Sequence, residues 1–140
     1  MNVDIDGVQV GVGLHGFHIH TNAATGSNGA LFSCGGDSTG GHYNPFVVTH
    51  GNRDDAVRHV GDLGNIQSLD DGNGGTVALY DEMDPQASLF GDDSILGRSI
   101  VIHASNDKLD NGGGDPSYSG GSGSRVACGT IGFADADQAP

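Results

Sequence analysis

The apolar residues of this chain come in short stretches, at 8–12, 17–19, 76–80, 99–102 and 125–131. Each has the length of a β-strand and is bounded by turn-forming residues. Alternation of apolar and polar positions over 3–20 predicts one or two strands ending at His20. Residues 66–69 and 76–80 read as a hairpin around the turn-rich Asp70-Asp-Gly-Asn-Gly-Gly75. Further strands are expected at 95–103 and 125–133. The intervening segments 21–65, 81–94 and 105–124 read as long irregular loops. With 26 glycines the chain has too many breaks for a helical protein, yet it has no repeats. The class that fits is an all-β sandwich or barrel. A length of 140 residues sets one domain, 1–140, large enough for a two-layer core.

Charge narrows the partners. The formal net charge is -13, aspartate outnumbers glutamate 17 to 1, and Lys108 is the only lysine. This excess argues against nucleic acid or an anionic membrane surface. No apolar run approaches the roughly 20 residues that span a bilayer. The composition suits a soluble protein, extracellular or cytoplasmic, and a high-salt environment would screen its self-repulsion. The start, Met1-Asn-Val-Asp-Ile-Asp, lacks the basic region and apolar run of a signal peptide. Cys34 and Cys128 leave two readings by count alone, a disulfide or two separate thiols. A disulfide between them would be worth ~4 kcal/mol in the chain-entropy model.

The candidate chemistry lies in the loops and strand ends. Loops as long as 21–65 are uncommon unless functional, and a bound metal orders such a segment. Six of the seven histidines, His18, His20, His42, His50, His59 and His103, fall in a pattern suited to two metals. His18 and His20, two apart on a strand, project to one face, with Phe17 and Ile19 on the other. With His103 at a strand end and His42 at a turn they make a four-imidazole set, which suits Cu(II). His42, His50, His59 and Asp62 make a closed tetrahedral set of the kind that holds structural zinc. His42 falls in both sets, and its two ring nitrogens allow it to bridge two ions.

Five segments carry a resemblance. Gly13-Leu-His-Gly-Phe-His-Ile-His20, Gly41-His-Tyr-Asn-Pro45, His59-Val-Gly-Asp-Leu-Gly-Asn65, Gly97-Arg-Ser-Ile-Val-Ile-His103 and Gly123-Ser-Arg-Val-Ala-Cys-Gly129 resemble the signatures of copper/zinc superoxide dismutases, in order and over nearly the whole chain. The resemblance implies a Greek-key β-barrel or immunoglobulin-like sandwich, often dimeric, with metals in its long loops. It implies an enzyme that converts superoxide anion to O2 and hydrogen peroxide at copper, beside a structural zinc. His18, His20, His42 and His103 match the copper ligands, and His42, His50, His59 and Asp62 the zinc ligands. Arg125 matches the arginine that guides superoxide, and Asp107 an aspartate that orients a copper and a zinc histidine. Cys34 and Cys128 match the intrasubunit disulfide, and His15 a buried structural histidine.

Some features depart from the family pattern. The loop between His20 and His42 is longer than in animal members, through Gly26-Ser-Asn-Gly29 and Gly35-Gly-Asp-Ser-Thr-Gly-Gly41. About two strands that normally precede the H-x-H are missing or short, since only 17 residues precede His18. The barrel is then incomplete, completed by a partner chain or homodimer, or part of a longer protein, and open sheet edges would follow. Tyr118 and Ser119 stand at the rim where a steering lysine is common, so Arg125 is expected to dominate. Tyr43 and Phe46 read as loop packing, and Arg58 and Arg98 as ion-pair partners. Two other functions fit the same residues, a non-catalytic copper/zinc-binding or storage domain and a structural module. Retention of every ligand position together with Arg125 favours the enzyme.

Overall fold

A computed structural model describes residues 2–5, 10–25, 34–73 and 75–133. The Gly26-Ser-Asn-Gly29 insertion, the start of the 8–12 stretch and Met1 lie outside the described residues. Six strands form one antiparallel sheet: β1 (Asn2–Ile5), β2 (Gly13–His20), β3 (Asp62–Asp70), β4 (Thr76–Asp81), β5 (Ser99–His103) and β6 (Arg125–Thr130). Their spatial order is β1-β4-β3-β2-β5-β6. After β2, β3 and β4, strand β5 crosses back to lie beside β2, which is the Greek-key arrangement. The strand β1 is the sole described element before the H-x-H strand. With β6 it leaves two edges unpaired among the described residues.

The structure shifts several boundaries. The first long loop ends at 61, because β3 begins at Asp62 and not at 66. A short helix, α1 (Gly36–Thr39), interrupts that loop. The penultimate strand begins at Ser99, since residues 95–98 form a turn in which the Arg98 amide bonds the Ile95 carbonyl. The last strand ends at Thr130.

Apolar residues from every central strand fill one core. Phe17, Ile19, Leu63, Ile66, Ala78, Tyr80 and Ile102 are buried with Tyr43, Val60 and Ile95 from the loops. The rings of Phe17 and Tyr80 pack at 4.9 Å between centroids. Tyr43 thus serves the core, whereas Phe46, expected to pack in its loop, is exposed. Arg98 makes no ion pair among the described residues. Its guanidinium lies 3.5 Å from the centre of the Tyr43 ring and donates to the carbonyls of Ser94 and Thr21.

Two joints tie the loops to the sheet. Gly61 hydrogen-bonds Tyr43, and Tyr43 bonds Ile19, so the loop lies directly on β2. A side chain at Gly61 would place its first carbon 2.1 Å from the Ile19 carbonyl oxygen, so only glycine fits. The second joint is the disulfide between Cys34 and Cys128, which fastens the segment before α1 to β6 across a separation of 94 residues. Cys128→Ser is expected to lower unfolding stability by about 2–5 kcal/mol, read by urea denaturation. A parent-like midpoint would show that this crosslink contributes nothing to the fold.

Candidate metal centre

Strand register brings the site together. On β2, His18 lies opposite Val101 of β5 and Asp62 of β3. On β5, His103 lies opposite Arg125 of β6. The register shifts between Gly16 and His18 and between Ile102 and His103, the irregularities that re-aim side chains at sheet ends. An isolated bridge pairs His42 with His20, drawing the loop histidine onto the strand.

His18, His20, His42 and His103 are buried, and one nitrogen from each lies within 4.8 Å of those of the others. The opposite nitrogen of each ring is held by the protein. His18 Nε2 donates to Asp107 Oδ2 at 2.7 Å, and His42 Nδ1 to Asp62 Oδ1 at 2.8 Å. His20 Nδ1 donates to the Gly40 carbonyl at 2.8 Å, and His103 Nδ1 to that of Gly123 at 3.1 Å. The inward atoms find no such partner. His18 Nδ1 and His42 Nε2 are buried without a hydrogen bond, and the Nε2 atoms of His20 and His103 meet only each other, at 3.2 Å. Buried imidazole nitrogens left unsatisfied cost stability unless an ion takes their lone pairs. Four converging neutral nitrogens are the donor set that Cu(II) favours, so these residues fit copper.

Burial keeps these rings neutral. It is the main cause that lowers the His18 pKa to about 3, with the neighbouring His42 next. Burial and His42 likewise bring His20 down to about 2, and burial brings His103 to about 4. Arg125, opposite His103 across the strands and bonded to the Gly40 carbonyl, adds to both of the latter shifts. His42 is lowered for the same first reason, burial, against the pull of Asp62.

The neighbouring cluster centres on Asp62. Its Oδ2 accepts the backbone amides of Gly51 and His59, which turns Oδ1 toward the Nδ1 atoms of His42 and His59, at 2.8 and 3.1 Å. Burial opposes ionisation of Asp62, but the hydrogen bonds from His42 and His59 outweigh it and hold its pKa below the carboxylate range. Behind it, buried Arg58 grips the turn. Its guanidinium donates to the carbonyls of His59, Val60 and Asp62 and bonds both Asp84 oxygens at 2.8 Å.

His50 stands somewhat apart. Its Nε2 lies 3.6 Å from Asp62 Oδ1 but bonds Asp107 Oδ2 at 3.0 Å, and its Nδ1 donates to the Asp110 carbonyl at 2.7 Å. Burial would lower its pKa, yet the Asp107 bond and the charge of Asp62 raise it. Two imidazoles and a carboxylate meet at Asp62, with His50 at the margin, a donor set that fits zinc. Asp107 joins the two clusters by accepting from His18 and His50 with one oxygen.

Several parts of the site are backbone, and no side-chain motif marks them. The Gly40 carbonyl accepts from both His20 and the half-buried Arg125. Asn65, inside the quoted His59–Asn65 segment but assigned no role from sequence, fixes Asp107 by exchanging two bonds with its backbone, at 2.7 and 3.0 Å. A hollow lined by Cys34, His103, Ser119, Gly123 and Arg125 opens beside the four-histidine pocket. His15 belongs to neither cluster, and its ring nitrogens reach the carbonyls of His103 and Gly11.

Known proteins give the same picture. Residues 1–131 match the family model described as copper/zinc superoxide dismutase. The chain is 48% identical over 133 residues to the extracellular superoxide dismutase [Cu-Zn] of Caenorhabditis elegans, covering 94% of this chain and 54% of that protein. It is 48% identical to superoxide dismutase [Cu-Zn] 4 of Dictyostelium discoideum, covering 85% of this chain and 72% of that one. With superoxide dismutase [Cu-Zn] A of Xenopus laevis the identity is 44%, over 94% of this chain and 82% of the relative. The chain thus spans about half the length of the nematode protein and most of the other two. From its strands, its histidines and these matches, the chain belongs to the copper/zinc superoxide dismutase family.

Proposed function

We propose that this chain is a superoxide dismutase, converting two superoxide anions and two protons to O2 and hydrogen peroxide. In this reading His18, His20, His42 and His103 hold copper, and His42, His50, His59 and Asp62 hold zinc, with His42 shared. The observation that carries it is the pocket of four buried imidazoles whose inward nitrogens are left unbonded or meet only each other while the outward ones are fixed. When bound, copper supplies one-electron chemistry by cycling between two oxidation states, and zinc supplies a fixed charge that orders the loop.

The chain's own residues do the rest. Asp107 and the Gly40 and Gly123 carbonyls fix which nitrogen of His18, His20 and His103 faces inward. Asp62 holds the Nδ1 edge of His42 toward the His59–Asp62 cluster and leaves its Nε2 facing the other three histidines of the pocket. Arg125 sits opposite His103 with its guanidinium tied to the Gly40 carbonyl, at the edge of the hollow. It supplies local positive charge for an anion in a chain of net charge -13. A storage site has no use for such a cation, so this arrangement favours turnover over mere metal binding.

Setting and assembly extend the same reading. The disulfide and the extracellular nematode relative favour an extracellular location. Among the described residues no helix is long and apolar enough to cross a membrane. The unpaired edges of β1 and β6 are where a homodimer or a strand-completing chain would pair.

Arg125→Ala is expected to lower the second-order rate constant for superoxide roughly tenfold or more with copper content retained, and Arg125→Lys to fall between. A rate unchanged in pulse radiolysis would exclude this role. One copper and one zinc per chain are expected, with activity lost to a copper chelator; full loading without dismutation would favour the storage reading.

The metal-free protein is also expected to lose stability as pH falls from about 6.5 toward 4. His18 and His103, with folded values of about 3 and 4, and His20 at about 2, take up protons in that range only when the chain unfolds. The raised value of His50 acts in the opposite sense, one ring against four, since His42 is lowered too. Asp62 and Asp107, both lowered, extend the loss below the usual carboxylate range. A denaturation midpoint that stays flat across the range would contradict burial as the cause.

A further inference from the structure

One aromatic residue near the Asp62 cluster has no role in the reaction as derived. Tyr118, at the rim of the loop before β6, sets its ring edge-on to His50, with centroids 5.7 Å apart and planes at 84°. That is a favourable edge-to-face geometry. Asp110 is the residue whose carbonyl accepts from His50 Nδ1 at 2.7 Å. The Tyr118 ring and the Asp110 carbonyl, both from the loop before β6, therefore meet the same imidazole.

The surrounding backbone is shaped to this ring. A side chain at Gly112 would place its first carbon 2.2 Å from Tyr118 Cγ, so glycine lets the chain pass against the aromatic face. Its φ of 56° is one that glycine adopts without cost. The Gly112 amide bonds Asp110 Oδ1 at 3.2 Å, and the Tyr118 amide bonds the Asp115 carbonyl at 3.1 Å, closing a turn that returns the ring to His50. Asn44, in the loop that carries His50, donates to the Pro116 carbonyl at 3.3 Å and to that of Val48 at 2.8 Å. The two loops are joined at this point.

We propose that Tyr118 is a positioning residue for His50, holding that imidazole edge-on and so setting how firmly the Asp62 cluster retains zinc. The inference rests on the zinc assignment made above. His50 needs such support more than the other histidines do. His59 is fixed by a partner three residues away, and His42 by its bridge to β2. His50 is held by contacts from the 107–118 loop, with Asp62 farther off at 3.6 Å. Removing the ring would free it to turn away.

The test is zinc affinity by competition with a chromophoric chelator, together with the visible spectrum of the Co2+-substituted protein, which reports ligand geometry at that site. Tyr118→Ala is expected to weaken zinc about tenfold or more and to shift the Co2+ bands. The copper absorption, which His18, His20 and His103 dominate, should stay as in the parent. Tyr118→Phe keeps the edge contact and should restore most of the affinity. Tyr118→Leu, which fills the space without an aromatic edge, should behave like Tyr118→Ala and serves where the smaller side chain prevents folding. Parent-like zinc affinity and Co2+ spectra in both the Ala and Leu variants would overturn the proposal, as would a Phe variant no better than they are. If the parent itself took up no zinc, the zinc assignment would fall as well, whereas unchanged variants of a zinc-binding parent would sink the Tyr118 role alone.

Discussion

Everything in this fold answers to the burial of six imidazoles beside two carboxylates. Buried polar nitrogens need partners, and each ring has two. The protein satisfies one nitrogen on each of the four converging rings and leaves the other facing its neighbours. Desolvation then holds His18, His20 and His103 neutral far below their ordinary range, and neutral nitrogens are what a metal needs. The arrangement is unfavourable for an empty pocket and favourable for a filled one, so metal affinity and folding are linked.

The supports for those rings lie outside the rings themselves. The guanidinium of Arg58 clamps the His59–Asp62 turn and is neutralised by Asp84, so a buried charge is used to shape backbone. Asn65 fixes Asp107, and Asp107 fixes His18 and His50. Gly61 lets the loop lie against β2, and the disulfide ties the segment before α1 to the strand that bears Arg125. The Gly40 carbonyl, just after α1, then orients both a pocket histidine and Arg125. The four-histidine pocket, Arg125 and the crosslink are therefore one mechanical unit.

Strand positions were legible in the sequence because alternation and turn residues are local signals. The H-x-H strand, the hairpin at 66–80 and the strand ending at His103 stand close to where those signals put them. Boundaries moved where tertiary contacts took over. Leu63 and Ile66 pack into the core, which pulls β3 back to Asp62 through a stretch rich in loop residues. Arg98 illustrates the limit of counting charges. Among so many acids an ion pair was the natural expectation, yet the Tyr43 ring and two carbonyls hold it. The contacts of Tyr118 and Asn65 were not legible in the sequence, since their worth depends on what lies across the loop.

The sequence by itself determined the ingredients: an acidic all-β chain, seven histidines at family spacings, two cysteines and a single arginine near the end of the last long loop. Those follow from residue identity and spacing along the chain. Only the tertiary structure decided which nitrogen of each imidazole is fixed, and that His50 leans toward Asp107 and Asp110 rather than fully toward Asp62. The reason is physical. Register, bulges and loop docking bring together atoms far apart along the chain, 89 positions in the His18–Asp107 pair, and hydrogen-bond geometry is settled only once those atoms are close.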